Sequence, residues 1–170
     1  MRSREHVELL RGAGAEHVCD SSAESFEEDL TRACAATDAT LAFDAIGGGR
    51  LAGRILACME AAITAGAAFA RYGSATHKQA YLYGHLDPGP TEIDRSFGMA
   101  WGVGGWVLRN FLARAEPEQV ARMRSRVADG LSTTFATRFT AEVTLAGAFE
   151  LDAIRVYGRP ATGTKYLITP

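Results

Sequence analysis

Apolar residues recur at helical spacing in several stretches of the chain, and short apolar runs lie between those stretches. A first helical face carries Val7 and Leu10 and ends at the glycines of 12–14. Two further helices are predicted from residues spaced three or four apart, namely Phe26, Leu30, Ala33 and Cys34, then Leu51, Ile55, Cys58, Met59 and Ile63.

The short apolar runs predict four strands, at 17–19, 39–43, 80–83 and 97–106. Pro88 and Pro90 fall in a predicted polar loop between the last two strands. Because strands and helices alternate, we expect crossover connections and a mostly parallel, doubly wound sheet. The pattern therefore predicts an α/β fold.

The pattern changes after about residue 106. Pro117 suits the first turn of a helix, and the apolar stripe of that helix is Val120, Met123, Val127 and Leu131. A last helix is predicted within 145–156 and a last strand at 165–169. The sequence thus predicts two domains, an α/β domain at 1–106 and an α+β segment at 107–170.

Composition excludes several classes of protein. The chain has 170 residues, of which 47% are hydrophobic and 22% charged, and these values are typical of a folded globular protein. The net charge of −2 gives no electrostatic argument for nucleic-acid binding. No apolar run approaches the ~20 residues of a membrane helix. Three scattered cysteines and a polar start predict a reducing compartment, the cytoplasm.

Well-defined motifs for phosphate or metal binding are absent from the sequence. Gly12-x-Gly14 is followed by His17 where a dinucleotide motif needs a third glycine, and Gly102-x-Gly104 is followed by Val107. The histidines and cysteines lack the spacing of metal ligands, so no zinc is expected.

The segment FDAIGG at 43–48 is the most suggestive local pattern. Asp44 follows a predicted buried strand and precedes a glycine turn, which is the position where open α/β sheets bind ligands. The alternative is that Asp44 merely caps the third helix.

Three segments together carry a family resemblance. The run REHVELLRGAGAEHV at 4–18 resembles the helix after the second strand in the cofactor domain of the medium-chain dehydrogenase/reductase superfamily. FDAIGG resembles the turn after that domain's fourth strand, and ATGTKYLI at 161–168 resembles the family's closing strand. The chain therefore resembles the C-terminal portion of a zinc-independent, NADPH:quinone oxidoreductase-like enzyme.

The resemblance implies a partial Rossmann-type domain at 1–106, lacking its first strands and glycine-rich turn. Residues 107–170 would then be the C-terminal part of the GroES-like catalytic domain. Arg2 and Arg4 stand where the family selects its cofactor, which favours NADP(H) over NAD(H), although Ser21 replaces a family tyrosine. The residues implied to line the ribose and nicotinamide are Asp44, Ala45, Ile46, Gly47 and Gly84. No catalytic residue can be assigned.

The implied activity is hydride transfer to a small quinone, enone or carbonyl substrate, with a homodimer formed through the strand from Phe97 to Trp106. One alternative is a truncated, non-catalytic remnant or an interaction module that dimerises through the same strand. A third possibility is a stand-alone nucleotide-binding domain that uses the turn at 44–49. Because the family's sheet order is 3-2-1-4-5-6, loss of strands 1 and 2 would remove its middle. We therefore expect the isolated chain to be inactive, and unstable, rearranged or oligomeric.

Overall fold

The computed structural model describes residues 4–137, 139–158 and 165–170, and the side chains of 4–6 are not among the described features. The chain divides into two compact units, Met1–Val107 and Leu108–Pro170. In the described part, no helix is both long enough and apolar enough to cross a membrane.

The first unit contains a parallel sheet and three helices. Its helices are α1 (Arg4–Gly12), α2 (Phe26–Thr37) and α3 (Leu51–Thr64), and its strands are β1 (Leu41–Asp44), β2 (Gly47–Gly49), β3 (Lys78–Leu82), β4 (Asp87–Thr91) and β5 (Trp101–Gly105). The main sheet has the order β1-β3-β5, and β2 pairs with β4 in a smaller sheet. Both sheets are parallel, which confirms the predicted α/β class.

The core of the first unit lies between the helices and one face of the main sheet. Leu56 and Met59 of α3 pack with Ala80 of β3 and Phe97, and Cys34 of α2 closes the cluster. On β1, by contrast, Leu41 and Phe43 are half exposed. Phe43 belongs to an aromatic cluster, with ring centroids 5.6 Å from Tyr81, 6.3 Å from Tyr83 and 5.4 Å from Trp106.

The second unit consists of short helices and one pair of strands. Its elements are α4 (Leu108–Leu112), α5 (Pro117–Asp129), β6 (Ala141–Thr144), α6 (Leu145–Ala148), α7 (Leu151–Tyr157) and β7 (Tyr166–Thr169). β6 and β7 pair in parallel, from Ala141 opposite Tyr166 to Thr144 opposite Thr169. Among the described residues of this unit, Ala148 alone is fully buried.

Three sequence predictions are wrong in detail. Residues 17–19 form irregular chain instead of a strand, because no described strand lies beside them to exchange backbone hydrogen bonds. The predicted loop with Pro88 and Pro90 contains β4, which tolerates both prolines because it is an edge strand with one neighbour. The single helix predicted within 145–156 is divided into α6 and α7.

Candidate functional site

The turn at 44–49 lies at the carboxyl ends of β1 and β3. Asp44 is the last residue of β1, and its backbone oxygen accepts hydrogen bonds from the backbone N–H groups of Tyr83 at 3.0 Å and Gly84 at 3.4 Å. The segment after β3 is therefore bound directly to the start of the turn. Carboxyl ends of neighbouring parallel strands are the usual ligand-binding edge of an open α/β sheet.

Two glycines allow this close contact between the turn and the end of β3. A Cβ at Gly84 would lie 2.0 Å from the backbone oxygen of Ala45. Gly47 has a φ of +85°, and a Cβ there would lie 2.7 Å from the backbone oxygen of Gly84. Both positions need glycine, because any side chain would push the two segments apart. The structure thus brings together five predicted site residues, namely Asp44, Ala45, Ile46, Gly47 and Gly84.

Asp44 is the buried acid of this site, with 2% of its surface exposed. Its Oδ1 accepts a hydrogen bond from the backbone N–H of Ile46 at 2.8 Å. Its Oδ2 is buried and has no hydrogen-bond partner in the described part of the chain. Such an atom is costly unless a ligand or water donates to it, so it indicates a binding position.

The alternative role of Asp44 as a helix cap is wrong. Helix α3 begins at Leu51, and Arg50 occupies the N-cap position without a side-chain hydrogen bond to the helix. The carboxylate of Asp44 instead closes a two-residue turn onto Ile46. Its position is therefore set by the turn and by β1, independently of the helix end.

The small β2–β4 sheet holds the far side of the turn. The backbone N–H of Asp87 donates to the oxygen of Ile46 at 2.9 Å, and Thr91 Oγ1 donates to the oxygen of Gly47 at 2.6 Å. A Cβ at Gly48 would lie 2.7 Å from the carboxyl carbon of Asp87. The turn is thus fixed on two sides, by the end of β3 and by β4.

The two arginines predicted to select the cofactor are not positioned by the structure. Arg2 lies outside the described residues. Arg4 begins α1, but its side chain also lies outside the description. Their role in cofactor choice stays a prediction.

The described residues offer neither a metal-binding cluster nor an activated thiol at Cys34 or Cys58. Within the described ranges, no three His, Cys, Asp or Glu side chains are grouped so that they could hold a metal ion. The absence of zinc stays a prediction. Burial raises the pKa of Cys34 and of Cys58, which disfavours the nucleophilic thiolate form of both residues.

Sequence reasoning missed a buried ionic network at the opposite end of the sheet. Lys78, at the start of β3, is 0% exposed, and its Nζ lies 2.5 Å from Oε2 of Glu60 in α3. Ser74 donates to both Glu60 oxygens, from its backbone N–H to Oε1 and from Oγ to Oε2, each at 2.7 Å. The available signal was that Lys78 is one of only two lysines and opens an apolar strand.

Comparison with known proteins identifies the fold. The whole chain matches 44% of the crystal structure of a protein from Mesorhizobium loti, which is described there as a proposed NADPH:quinone reductase, with a TM-score of 0.72 and 24% sequence identity. No protein-family model matches the chain, and no curated protein matches it. The fold is therefore the Rossmann-like α/β fold of this structural neighbour, and the chain spans less than half of the neighbour's length.

Proposed function

We propose that this chain is the C-terminal portion of an NAD(P)-dependent oxidoreductase that transfers hydride to a quinone, an enone or another carbonyl compound. In this proposal the first unit supplies one side of a dinucleotide cleft, and the second unit belongs to the catalytic lobe. The observation that carries the proposal is the buried, unpartnered Oδ2 of Asp44 at the carboxyl edge of a parallel sheet. NADP(H) is the favoured cofactor.

The residues of the turn fit a nicotinamide ribose. The ribose carries hydroxyl groups that donate hydrogen bonds, and Asp44 Oδ2 is an acceptor that receives no hydrogen bond from the described residues. The absence of Cβ atoms at Gly47 and Gly84 lets the turn and the end of β3 lie in direct contact beside Asp44. A bound nicotinamide would supply the hydride, while Asp44 and the glycine backbone would hold and orient the sugar.

Among the described residues, β1 has a neighbouring strand on one side only, and this open edge supports a sheet that continues past β1. Gln79 donates its backbone N–H to Thr40, and Tyr83 donates to Asp44. In a parallel strand, the intervening residues Leu41 and Phe43 direct their backbone groups to the other side. A further strand beside β1 would satisfy these groups, as the strand order of a doubly wound sheet requires.

The test is a titration of the chain with NADPH, followed by the amide NMR signals of individual residues. Because the glycine-rich phosphate turn is not part of the described fold, we expect only millimolar affinity. The amide signals of Ile46, Gly47 and Gly84 should shift with one common dissociation constant, and NADH should bind more weakly.

Two matched glycine variants distinguish loss of NADPH binding at the turn from a general effect of adding a side chain. Gly84→Ala places a Cβ 2.0 Å from the oxygen of Ala45, whereas a Cβ at Gly105 meets nothing within 4 Å. We expect Gly84→Ala to abolish the NADPH shifts and Gly105→Ala to preserve them. If saturating NADPH leaves the signals of the turn unmoved in the folded wild-type chain, the assignment of this turn to the cofactor is wrong.

We further propose that two copies of the chain dimerise through β5. The backbone N–H of Trp106 donates to the oxygen of Leu82, and the backbone N–H of Lys78 donates to the oxygen of Ala100. Since backbone groups alternate in direction along a strand, Gly102 and Gly104 also direct theirs toward β3. Trp101, Val103 and Gly105 therefore direct their backbone groups to the other edge of β5, which has no partner strand within the described ranges. An open edge of this kind favours strand pairing with a second copy. The same edge would serve a non-catalytic interaction module.

Gly105→Pro tests the dimer directly. Proline removes the outward N–H of Gly105 and leaves the hydrogen bonds between β5 and β3 in place. Light scattering should give a dimeric mass for the wild type and for Gly105→Ala, and a monomeric mass for Gly105→Pro. A dimer that survives in Gly105→Pro would place the contact elsewhere.

A further inference from the structure

A cavity of about 550 Å³ opens at the end of the main sheet opposite the turn at 44–49. It is lined by the last turn of α3 and by the segments 67–73 and 95–99, which precede β3 and β5. All of these elements belong to the first unit. Its volume falls within the range of about 300–1,000 Å³ that is common for small-molecule sites.

Glu60 lines the cavity as its floor, and behind it lies the buried network that Glu60 forms with Ser74 and Lys78. Glu60 is 7% exposed, and its charge is balanced by Lys78. Burial would raise the pKa of Glu60, but hydrogen bonds from Lys78 and Ser74 outweigh burial and hold that pKa below its usual value. Glu60 is therefore a carboxylate at physiological pH, and it is paired with Lys78.

The same network holds the walls of the cavity in place. A Cβ at Gly73 would lie 2.5 Å from Oε1 of Glu60 and 2.7 Å from the Cα of Gly98. The backbone N–H of Met99 donates to the oxygen of Tyr72 at 3.0 Å. The two lining segments are thus bound to each other and to the floor, so the cavity is formed before any ligand enters.

The rim combines positive charge with exposed apolar side chains. Arg71 and Arg95 line the cavity, both are exposed, and neither forms an ion pair with a carboxylate in the described part of the chain. The guanidinium of Arg71 lies 5.7 Å from the centroid of the Tyr72 ring. Three large apolar side chains of the lining, Phe69, Tyr72 and Met99, are also exposed. The site therefore offers two cations beside an uncovered apolar surface.

We propose that this cavity binds an organic anion with an aromatic body, such as an aromatic carboxylate. The forked guanidinium groups of Arg71 and Arg95 match the geometry of a carboxylate. Phe69, Tyr72 and Met99 would pack against the aromatic ring of the ligand. Because the cavity and the turn at 44–49 lie at opposite ends of the sheet, this site is separate from the proposed cofactor cleft.

The probe for the test is 2-naphthoate, titrated into the full chain while the amide NMR signals of Gly73 and Gly98 are followed. The neutral compound 2-naphthalenemethanol has the same ring system without the charge. We expect 2-naphthoate to shift both glycine signals saturably and to bind about tenfold or more tightly than the alcohol. Saturable shifts confined to the turn at 44–49 would overturn the proposal and leave the cofactor assignment standing.

Arginine variants test the role of charge. The double variant Arg71→Gln/Arg95→Gln should weaken the binding of 2-naphthoate by about tenfold or more and leave the affinity for the alcohol unchanged. Its matched control is Arg122→Gln/Arg124→Gln on α5, which should change neither. Both pairs are exposed, so the spectra of the folded chain should persist.

Two results would contradict the proposal. Equal affinity for the acid and the alcohol would mean that the cavity is an apolar surface without a preference for anions. Shifts of Gly73 and Gly98 that follow protein concentration without any ligand would mean that a second copy of the chain covers this surface. Binding of NADPH at Gly47 and Gly84 is measured separately, so it can fail or succeed independently.

Discussion

Both units of the chain contain helices and parallel strands, but their cores are very different. In the first unit, Leu56, Met59, Ala80 and Phe97 are almost fully buried between helices and sheet. In the second unit, Ala148 is the single buried residue among those described. Its large apolar side chains are exposed instead, including Leu145, Phe149, Leu151, Ile154 and Ile168. Helices and parallel strands alone therefore do not produce a core.

The difference follows from what each helix packs against. Helix α3 contacts both α2 and the main sheet, so its apolar face is covered. Helix α5 carries the predicted stripe of Val120, Met123 and Val127, but none of its residues is buried. Helices of this length gain most of their stability from such packing. The second unit should therefore be the less stable of the two unless another surface covers it.

The largest expected effect comes from breaking the buried ion pair of the first unit. Glu60→Gln leaves the ammonium of Lys78 buried without a counter-charge, and we expect a loss of about 3–5 kcal/mol in the free energy of unfolding. Denaturant unfolding followed by tryptophan fluorescence would measure this loss. The double variant Glu60→Gln/Lys78→Met removes both charges and should recover most of it.

The dependence of the same effect on pH has a definite sign. The pKa of Glu60 is lower in the folded chain, so its contribution to stability is present above the pKa of an unfolded glutamate and is lost as the pH falls through the folded pKa. Wild-type stability should therefore fall in acid below about pH 4.3, the ordinary glutamate pKa. The free energy of unfolding of the Glu60→Gln variant should fall less steeply with decreasing pH than that of the wild type. An identical slope in both proteins would assign the acid sensitivity to other carboxylates.

A matched pair of leucines tests the difference between the two cores. Leu56 is 0% exposed and Leu151 is 58% exposed. We expect Leu56→Ala to cost about 2–5 kcal/mol, because it leaves a cavity in the core. Leu151→Ala should change stability by less than about 0.5 kcal/mol. A large cost at Leu151 would instead reveal that the second unit is covered in solution by a surface such as a second copy.

Local signals predicted the part of the fold that depends on neighbours in sequence. The spacing of Leu51, Ile55 and Ile63 predicted α3, and the segment FDAIGG predicted the turn at 44–49. The contact of that turn with Gly84 was expected only through the family resemblance, because the two segments are far apart in sequence. The error at 17–19 has the same origin, since a strand depends on a partner that the local pattern does not reveal.

The buried network was beyond sequence reasoning for a related reason. Glu60 and Lys78 pair across the segment that connects α3 to β3, and the local pattern around either residue does not identify the other as its partner. For the second unit the error was the reverse, because apolar positions that were predicted to be buried are exposed. Their spacing predicted buried faces, but periodicity specifies a face and not the partner that covers it.

The smallest expected effect compares one arginine from each unit. Arg54 of α3 donates from Nε to Oε1 of Glu27 at 2.8 Å, and its guanidinium lies 4.5 Å from the centroid of the buried Phe26 ring. On α5, Arg122 lies 3.8 Å from Oε2 of Glu118, and both side chains are well exposed. We expect Arg54→Gln to cost about 1 kcal/mol, because it removes an aromatic contact together with an ion pair.

Arg122→Gln should cost no more than about 0.5 kcal/mol, because a single exposed pair along a helix contributes little. Urea unfolding at low and at moderate salt would measure both values. Added salt should remove most of the Arg122 effect and spare part of the Arg54 effect, since packing of the guanidinium on Phe26 persists when charges are screened. Equal costs at both positions would mean that the packing of Arg54 on Phe26 adds no stability beyond that of an exposed ion pair, and the contrast between the two units would not extend to these arginines.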